Sequence, residues 1–147
     1  FTERKMAPFT IHNLEHALSG ENHKFAHGRG LAILYPAYFR WLYNHDRVID
    51  RMALLAKRLF GIADGSQKEN AMAFIEHFEG WLKQNHLYER LSDQGIEQSS
   101  FGDVADYAIK TYGGGKDELA AAGPLTRDNI IEIFEMTEEQ TPEAEMA

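Results

Sequence analysis

The segment His27–Asn44 restricts the possible folds of this 147-residue chain more than any other stretch. From Leu31 to Tyr43 it reads Leu-Ala-Ile-Leu-Tyr-Pro-Ala-Tyr-Phe-Arg-Trp-Leu-Tyr. We predict a helix here, and a helix that is apolar on nearly all sides belongs at the centre of a bundle. Pro36 should kink this helix or split it near Leu34, because proline removes a backbone donor and its ring clashes with the preceding turn.

The rest of the chain also carries its apolar residues at helical spacing. No segment alternates convincingly at period two, and no internal repeat is present. The sequence therefore predicts an all-α fold, a bundle of about five to seven helices. The further predicted helices cover residues 8–20, 47–60, 67–85 and 99–112, with a last helix opened by residues 124–126. The stretches 87–98 and 116–123 are predicted to be connections.

Several polar residues and one glycine predict where these helices begin and end. Asp46 is a predicted N-cap for the third helix, and Gly61 should terminate that helix. The loop 64–66 should cap the fourth helix, and Ser99 or Ser100 the fifth. Each of these residue types can satisfy backbone groups that a helix end leaves unpaired.

Length and hydrophobic content, 44%, allow one domain with a real core. We predict that residues 1–137 form this helical domain. Residues 138–147 are acidic, contain Pro142 and are expected to be disordered. The chain begins at Phe1 rather than methionine, which leads us to expect further sequence before it.

The charge balance argues against two classes of partner. The formal net charge is −8, from 23 acidic and 15 basic residues, so neither nucleic acid nor an anionic membrane surface is an expected partner. No apolar run approaches the length of a membrane span. The chain contains no cysteine, which excludes disulfides and thiolate chemistry and fits the cytoplasm.

Four of the seven histidines fall between residues 12 and 27: His12, His16, His23 and His27. His12 and His16 are four apart and share one face of a helix. A glycine break at Gly20 follows, and a third histidine at the start of the next helix can converge with them. Neutral imidazoles held in this way suit a divalent ion such as zinc or ferrous iron.

The residues around these histidines resemble those of a known protein family. His-Asn-Leu-Glu-His-Ala-Leu-Ser at 12–19, Ala-His-Gly at 26–28 and Leu-Ala-Ile-Leu-Tyr-Pro at 31–36 resemble the helical C-terminal domain of iron-containing (group III) alcohol dehydrogenases. The similarity continues through 56–62, 91–96 and 124–129, and the butanol dehydrogenase-like branch is the most similar. The resemblance implies the helical fold shared with dehydroquinate synthase-like proteins.

The resemblance also implies roles for particular residues. His12 and His27 match two of the family's metal ligands, whereas the remaining aspartate and histidine ligands would lie upstream of this chain. His16 matches a histidine beside the metal and substrate, and is the implied catalytic residue, relaying the alcohol proton. The 16–27 interval is one residue longer than the family's usual spacing, so His23 is the alternative to His27 as ligand.

The implied activity is metal-assisted hydride transfer between small alcohols or aldehydes and NAD or NADP. The implied cofactors are a divalent metal, Fe²⁺ or Zn²⁺, and the nicotinamide. The implied partners are an N-terminal nucleotide-binding domain of the parent chain and a second copy in a homodimer. This chain alone is expected to be inactive. Phe25, Tyr35 and Phe39 are candidate substrate-pocket residues, with ordinary core packing as the alternative.

Two other functions are compatible with a helical chain that contains clustered histidines. One is a self-contained helical metal-binding protein, and the other is a non-catalytic helical interaction domain. A di-metal bundle would need Glu-x-x-His pairs on two helices. Glu15–His16 and Glu76–His77 are adjacent pairs instead, so that signal is missing. Metal analysis separates the interaction domain from the other two functions.

Overall fold

The computed structural model describes residues 10–142, and these form a helical bundle. Within them lie six α-helices: α1 (Thr10–Glu21), α2 (His27–Asn44), α3 (Ile49–Phe60), α4 (Gln67–Gln84), α5 (Phe101–Tyr112) and α6 (Arg127–Glu138). Two 3₁₀ turns, Ser92–Gln94 and Gln98–Ser100, precede α5. The predicted all-α class is confirmed. No helix in this part of the chain is long and apolar enough to cross a membrane.

The central position predicted for α2 is confirmed, because this helix packs against α1, α4 and α6. Its buried side includes six core residues: Ile33, Leu34, Ala37, Tyr38, Trp41 and Leu42. We predicted a kink or a split near Leu34; the helix runs unbroken through Pro36, so it is not split. Proline removes one backbone donor, but burial on both sides of Pro36 keeps the two halves in one helix.

Two of the predicted helix ends have the expected capping contacts. Ser66 accepts from the backbone N–H of Glu69, and the Glu69 carboxylate accepts from the backbone N–H of Ser66, which completes a capping box at the start of α4. Gly61 ends α3 in the left-handed region at φ 69°. Such a backbone suits glycine, which has no Cβ to clash.

The predicted caps of α3 and α5 are wrong. Helix α3 begins at Ile49 after Val48, which has a left-handed backbone at φ 48°, and Asp46 lies two residues before that position. The Asp46 carboxylate instead accepts from Lys68 Nζ at 2.7 Å. Ser100 occupies the N-cap position of α5 but makes no capping bond, since its hydroxyl donates to the Glu97 carbonyl. Tertiary and turn contacts have therefore replaced local capping.

Helix α1 begins, within the described residues, at Thr10 and ends one residue beyond the predicted stop at Gly20. Pro8, the predicted start, lies outside the described residues. Thr10 is buried and its hydroxyl donates to the Ala120 carbonyl at 2.8 Å. The start of α1 is thereby connected to the segment that precedes α6.

The predicted loop 116–123 contains a short strand. In the described part of the chain, β1 (Glu118–Leu119) pairs antiparallel with β2 (Leu125–Thr126), and Leu119 lies opposite Leu125. Both leucines are buried. This two-residue ribbon closes the connection between α5 and α6 and adds no sheet layer to the bundle.

The ordered part of the chain extends beyond the predicted domain boundary at residue 137. Helix α6 ends at Glu138, and Gln140 is 95% buried (5% exposed). The Gln140 side-chain amide donates to the carbonyls of Ile33 at 3.2 Å and Glu89 at 2.6 Å. The predicted disordered tail is therefore wrong for its first residues. Residues 143–147 of that tail lie outside the described residues.

Candidate metal centre

The start of α2 folds back over α1 and brings three histidines together. His12 and His16 lie one turn apart on α1, and His27 is the first residue of α2. Their ring centroids are 5.1 Å apart for His12 and His16, 4.5 Å for His12 and His27, and 5.2 Å for His16 and His27. One ring nitrogen from each lies within 4.8 Å of the other two. We call these residues the histidine cluster.

The histidine cluster has the donor chemistry and the dimensions of a metal centre. Metal–nitrogen bonds of about 2.0–2.1 Å in a tetrahedral site place ligand nitrogens about 3.3 Å apart. The three histidine nitrogens lie up to 4.8 Å apart, which is more than this ligand spacing. Modest rotations of the rings would bring any two of them to it. His16 and His27 are exposed, which leaves the centre open to further ligands and to a substrate. The residues present therefore fit a divalent cation.

The remaining histidines do not join this group. His23, the predicted alternative ligand, is exposed in the loop between α1 and α2 and is not a member of the cluster. His77 Nδ1 lies 2.8 Å from the Ala73 carbonyl of its own helix, in agreement with the predicted surface or packing role. His45 makes the same contact with Trp41, also at 2.8 Å.

Hydrogen bonds to acceptors in the 87–98 connection hold the turn that precedes His27 and the first turn of α2. Asn22 Nδ2 donates to the Gln94 carbonyl at 2.9 Å. Arg29, two residues after His27, donates from Nε and Nη2 to the two carboxylate oxygens of Glu89, at 2.6 and 3.0 Å. This pairing holds the pKa of Arg29 above its usual value. The start of α2 is thus held in place on two sides.

Glu15 is a site residue that the sequence analysis did not identify. It is fully buried (0% exposed) although it is a carboxylate, and its Oε2 contacts His27 Nδ1. Its Oε1 accepts from the hydroxyl of Ser19 one turn further along α1. One signal was available: Glu15 falls on the same stripe of α1 as the buried Ile11 and Leu18. A carboxylate on the buried face of a helix needs hydrogen-bond donors to replace water.

Of the three aromatic candidates for a substrate pocket, Phe25 lies apart from the other two. Phe25 is 5% exposed and packs beside Gly30, close to the histidine cluster. Phe39 is twelve residues after His27, about 18 Å along the helix axis. Its ring packs instead on Phe74 and Phe78 of α4, at 5.2 and 5.6 Å. Phe39 is therefore a core residue, in agreement with the core-packing alternative for it.

Tyr35 packs alongside Phe39, at 5.5 Å between ring centroids. It lies eight residues after His27, about 12 Å along α2. Its ring contact is with Phe39, which packs on α4, whereas Phe25 lies beside Gly30 and Glu15, next to the cluster.

Comparison with known proteins places these residues in a family. The sequence model of the Fe-containing alcohol dehydrogenase family, C-terminal, matches residues 5–137. NADH-dependent butanol dehydrogenase B of Clostridium acetobutylicum is 28% identical over 139 residues, covering 90% of this chain and 33% of the relative. Butanol dehydrogenase A of the same organism is 24% identical over 127 residues, covering 86% and 31%. The chain thus spans about a third of the length of these relatives.

Solved structures agree in fold. The crystal structure of NADH-dependent butanol dehydrogenase A from Thermotoga maritima matches with a TM-score of 0.74 at 28% identity, covering 88% of this chain and 33% of that one. Aldehyde reductase YqhD from E. coli matches with a TM-score of 0.71 at 25% identity, with coverage of 88% and 33%. The resemblance found in the sequence is confirmed: this chain belongs to the Fe-containing alcohol dehydrogenase family and corresponds to its C-terminal helical domain.

Proposed function

We propose that this chain is the metal- and substrate-binding part of an NAD(P)-dependent alcohol dehydrogenase that interconverts small alcohols and aldehydes. The observation that carries the proposal is the convergence of His12, His16 and His27 at the α1–α2 junction of a chain from this family. Family membership favours this function over a self-contained metal protein or a helical interaction domain.

Within this proposal, His12 and His27 hold the divalent metal through neutral ring nitrogens, and the other ligands come from an N-terminal nucleotide-binding domain. When bound, the metal polarises the oxygen of the alcohol or aldehyde, and the nicotinamide carries the hydride. The family's description favours iron over zinc. The names of the butanol dehydrogenase relatives favour NADH over NADPH.

His16 is assigned a different task in the same cluster. Its ring is exposed and lies 5.1–5.2 Å, between centroids, from the rings of His12 and His27. From there it takes the alcohol proton on a ring nitrogen and passes it to solvent. Phe25, buried beside the cluster, keeps water from one side of the site.

The test of this function is turnover by the complete enzyme that carries this chain. Oxidation of butan-1-ol should proceed with NAD⁺, stop when a chelator removes the metal, and return when Fe²⁺ is added. Absence of turnover of any primary alcohol with either nicotinamide, in an enzyme that retains its metal, would contradict the proposal.

A further inference from the structure

We propose that Glu15 is a positioning residue that fixes the ring of His27 and selects the nitrogen that His27 presents to the metal. The inference rests on the proposed function, because it adds a residue to the same site. It goes beyond that function in assigning a task to a side chain that contacts a ligand rather than the metal or the substrate.

The first observation is that both oxygens of a fully buried carboxylate are occupied. Glu15 is 0% exposed, its Oε2 contacts His27 Nδ1 and its Oε1 accepts from the hydroxyl of Ser19. A carboxylate withdrawn from water is unfavourable unless donors replace the lost solvation. The two contacts supply that replacement, so the position of Glu15 is coupled to the orientation of the His27 ring.

The second observation concerns which ring nitrogen Glu15 contacts. A carboxylate accepts hydrogen bonds, so the Nδ1 that faces Glu15 carries the proton. A neutral imidazole with its proton on Nδ1 has its lone pair on Nε2. The His27 side chain is 45% exposed, and its ring lies against those of His12 and His16, so the edge of the ring that does not face Glu15 remains for a cation. This carboxylate–histidine arrangement is the one that commonly orients metal-binding histidines and raises their basicity.

The third observation is that packing fixes Glu15 itself. Gly30, one turn into α2, faces the Glu15 side chain: a Cβ at Gly30 would lie 2.7 Å from Glu15 Cγ and 2.7 Å from Cε1 of Phe25. The absence of a side chain at Gly30 therefore creates the space in which the Glu15 stem and the Phe25 ring lie. Because this pocket is closed, the folded chain holds the carboxylate in place before any metal binds.

The direct test is the tautomer of His27 in the metal-free chain. Nitrogen-15 chemical shifts of the ring, measured above the usual titration range of histidine, report which nitrogen carries the proton. We expect the proton on Nδ1. A proton on Nε2, or protons on both nitrogens, would overturn the proposal. This measurement needs no variant, so it decides the question even if substitutions at Glu15 impair folding.

Two variants then measure what the contact does for metal binding in the complete enzyme. Glu15→Ala should shift His27 towards the Nε2–H tautomer and weaken metal binding about 10–100-fold in competition with a chelator. Glu15→Gln keeps an acceptor oxygen in a side chain of the same size, and should lose less. Metal affinity within twofold of wild type in Glu15→Ala, or equal losses in the two variants, would overturn the positioning role.

These measurements also separate this inference from the proposed function. If the wild-type enzyme bound no metal while His27 carried its proton on Nδ1, the proposed function would fail and the Glu15 contact would stand. If the enzyme bound metal and oxidised alcohols while His27 carried its proton on Nε2, the proposed function would stand and the role of Glu15 would fail.

Discussion

Gly30 is the residue whose absent side chain matters most to the site. It lies on α2, faces the Glu15 stem, and leaves the space that Phe25 and Glu15 share. Gly80, on α4, is also a helical glycine, but a Cβ added there meets nothing within 4 Å. The two glycines thus sit in similar backbones and differ in their surroundings.

Gly30→Ala should destabilise the fold by about 1–3 kcal/mol, because its Cβ would be forced against Glu15 and Phe25. Gly80→Ala, the matched control, should stabilise the fold by up to about 1 kcal/mol, because alanine favours the helix over glycine. Urea unfolding of both variants checks this. A Gly30→Ala variant as stable as Gly80→Ala would show that the space beside Gly30 is not closed.

The histidine cluster could be predicted from spacing, whereas its supporting carboxylate could not. His12 and His16 share a helix face because they are four apart, and the loop between Glu21 and His27 allows His27 to return to that face. The contact between Glu15 and His27 depends in addition on the gap at Gly30, which belongs to another helix. Sequence periodicity describes one helix at a time and does not show such a gap.

Among the helices, α4 and α5 differ in how their first turns are satisfied. Ser66 caps α4 by accepting from the Glu69 backbone N–H at 3.2 Å. Ser100 occupies the same position on α5 and makes no such bond. A serine at the start of a helix therefore does not always make a capping hydrogen bond, because its hydroxyl can bond to another backbone group instead.

Ser66→Ala should lower the free energy of unfolding by about 1 kcal/mol, because it leaves a helix N–H unpaired. Ser100→Ala should cost less, since the Ser100 hydroxyl donates to a carbonyl in an exposed turn and caps nothing. Thermal or urea unfolding of the two variants measures the difference. An equal loss of stability in both would contradict the capping assignment.

Tyr88 lies beside the bidentate pair of Arg40 and Glu79, which connects α2 and α4. Burial, followed by the charge of Glu79, raises the pKa of Tyr88 to about 12. A raised pKa means that the unfolded chain loses this proton first. The stabilising effect is therefore complete below the unfolded pKa of about 10 and is lost as the pH rises towards 12.

The check is the unfolding free energy of wild type and Tyr88→Phe across this alkaline range. Wild type should lose more stability between pH 10 and about 12 than Tyr88→Phe, which has no phenol to ionise. Parallel pH profiles for the two proteins would show that Tyr88 ionises equally easily in the folded and unfolded states.

The helices themselves were largely predictable. Both ends of α2 agree with the prediction, because a long apolar run bounded by polar residues leaves little choice. The start of α3 was not predictable, since Val48 has a left-handed backbone and Asp46 pairs with a lysine of α4. Asp46 is a residue type that can cap a helix, but its carboxylate pairs with Lys68, which is distant in the sequence.

At the scale of the whole molecule, we propose that the histidine cluster is half of a metal site. Two of its three histidines, His16 and His27, are exposed at the junction of α1 and α2, and the chain covers about a third of the length of its relatives. The positions of the aromatic residues were the least predictable feature, because Phe39 packs on α4 rather than beside the cluster. Which aromatic residues line a site depends on how the helices pack, and helical periodicity does not specify that.

The isolated 147-residue chain should neither bind a nicotinamide cofactor tightly nor oxidise alcohols. In our account the nucleotide-binding domain and two metal ligands belong to the rest of the enzyme. Calorimetric titration with NADH and an assay with butan-1-ol check this. Measurable turnover by the isolated chain would mean that it contains a complete site.

The most direct test of the account is the metal content of the complete enzyme and four single variants, measured beside the rate of alcohol oxidation. His12→Ala and His27→Ala should lose metal and activity together. His16→Ala should keep most of the metal and turn over more slowly, and His23→Ala should resemble wild type. Loss of metal from His23→Ala, with metal retained in His27→Ala, would contradict the assignment of the centre to the histidine cluster.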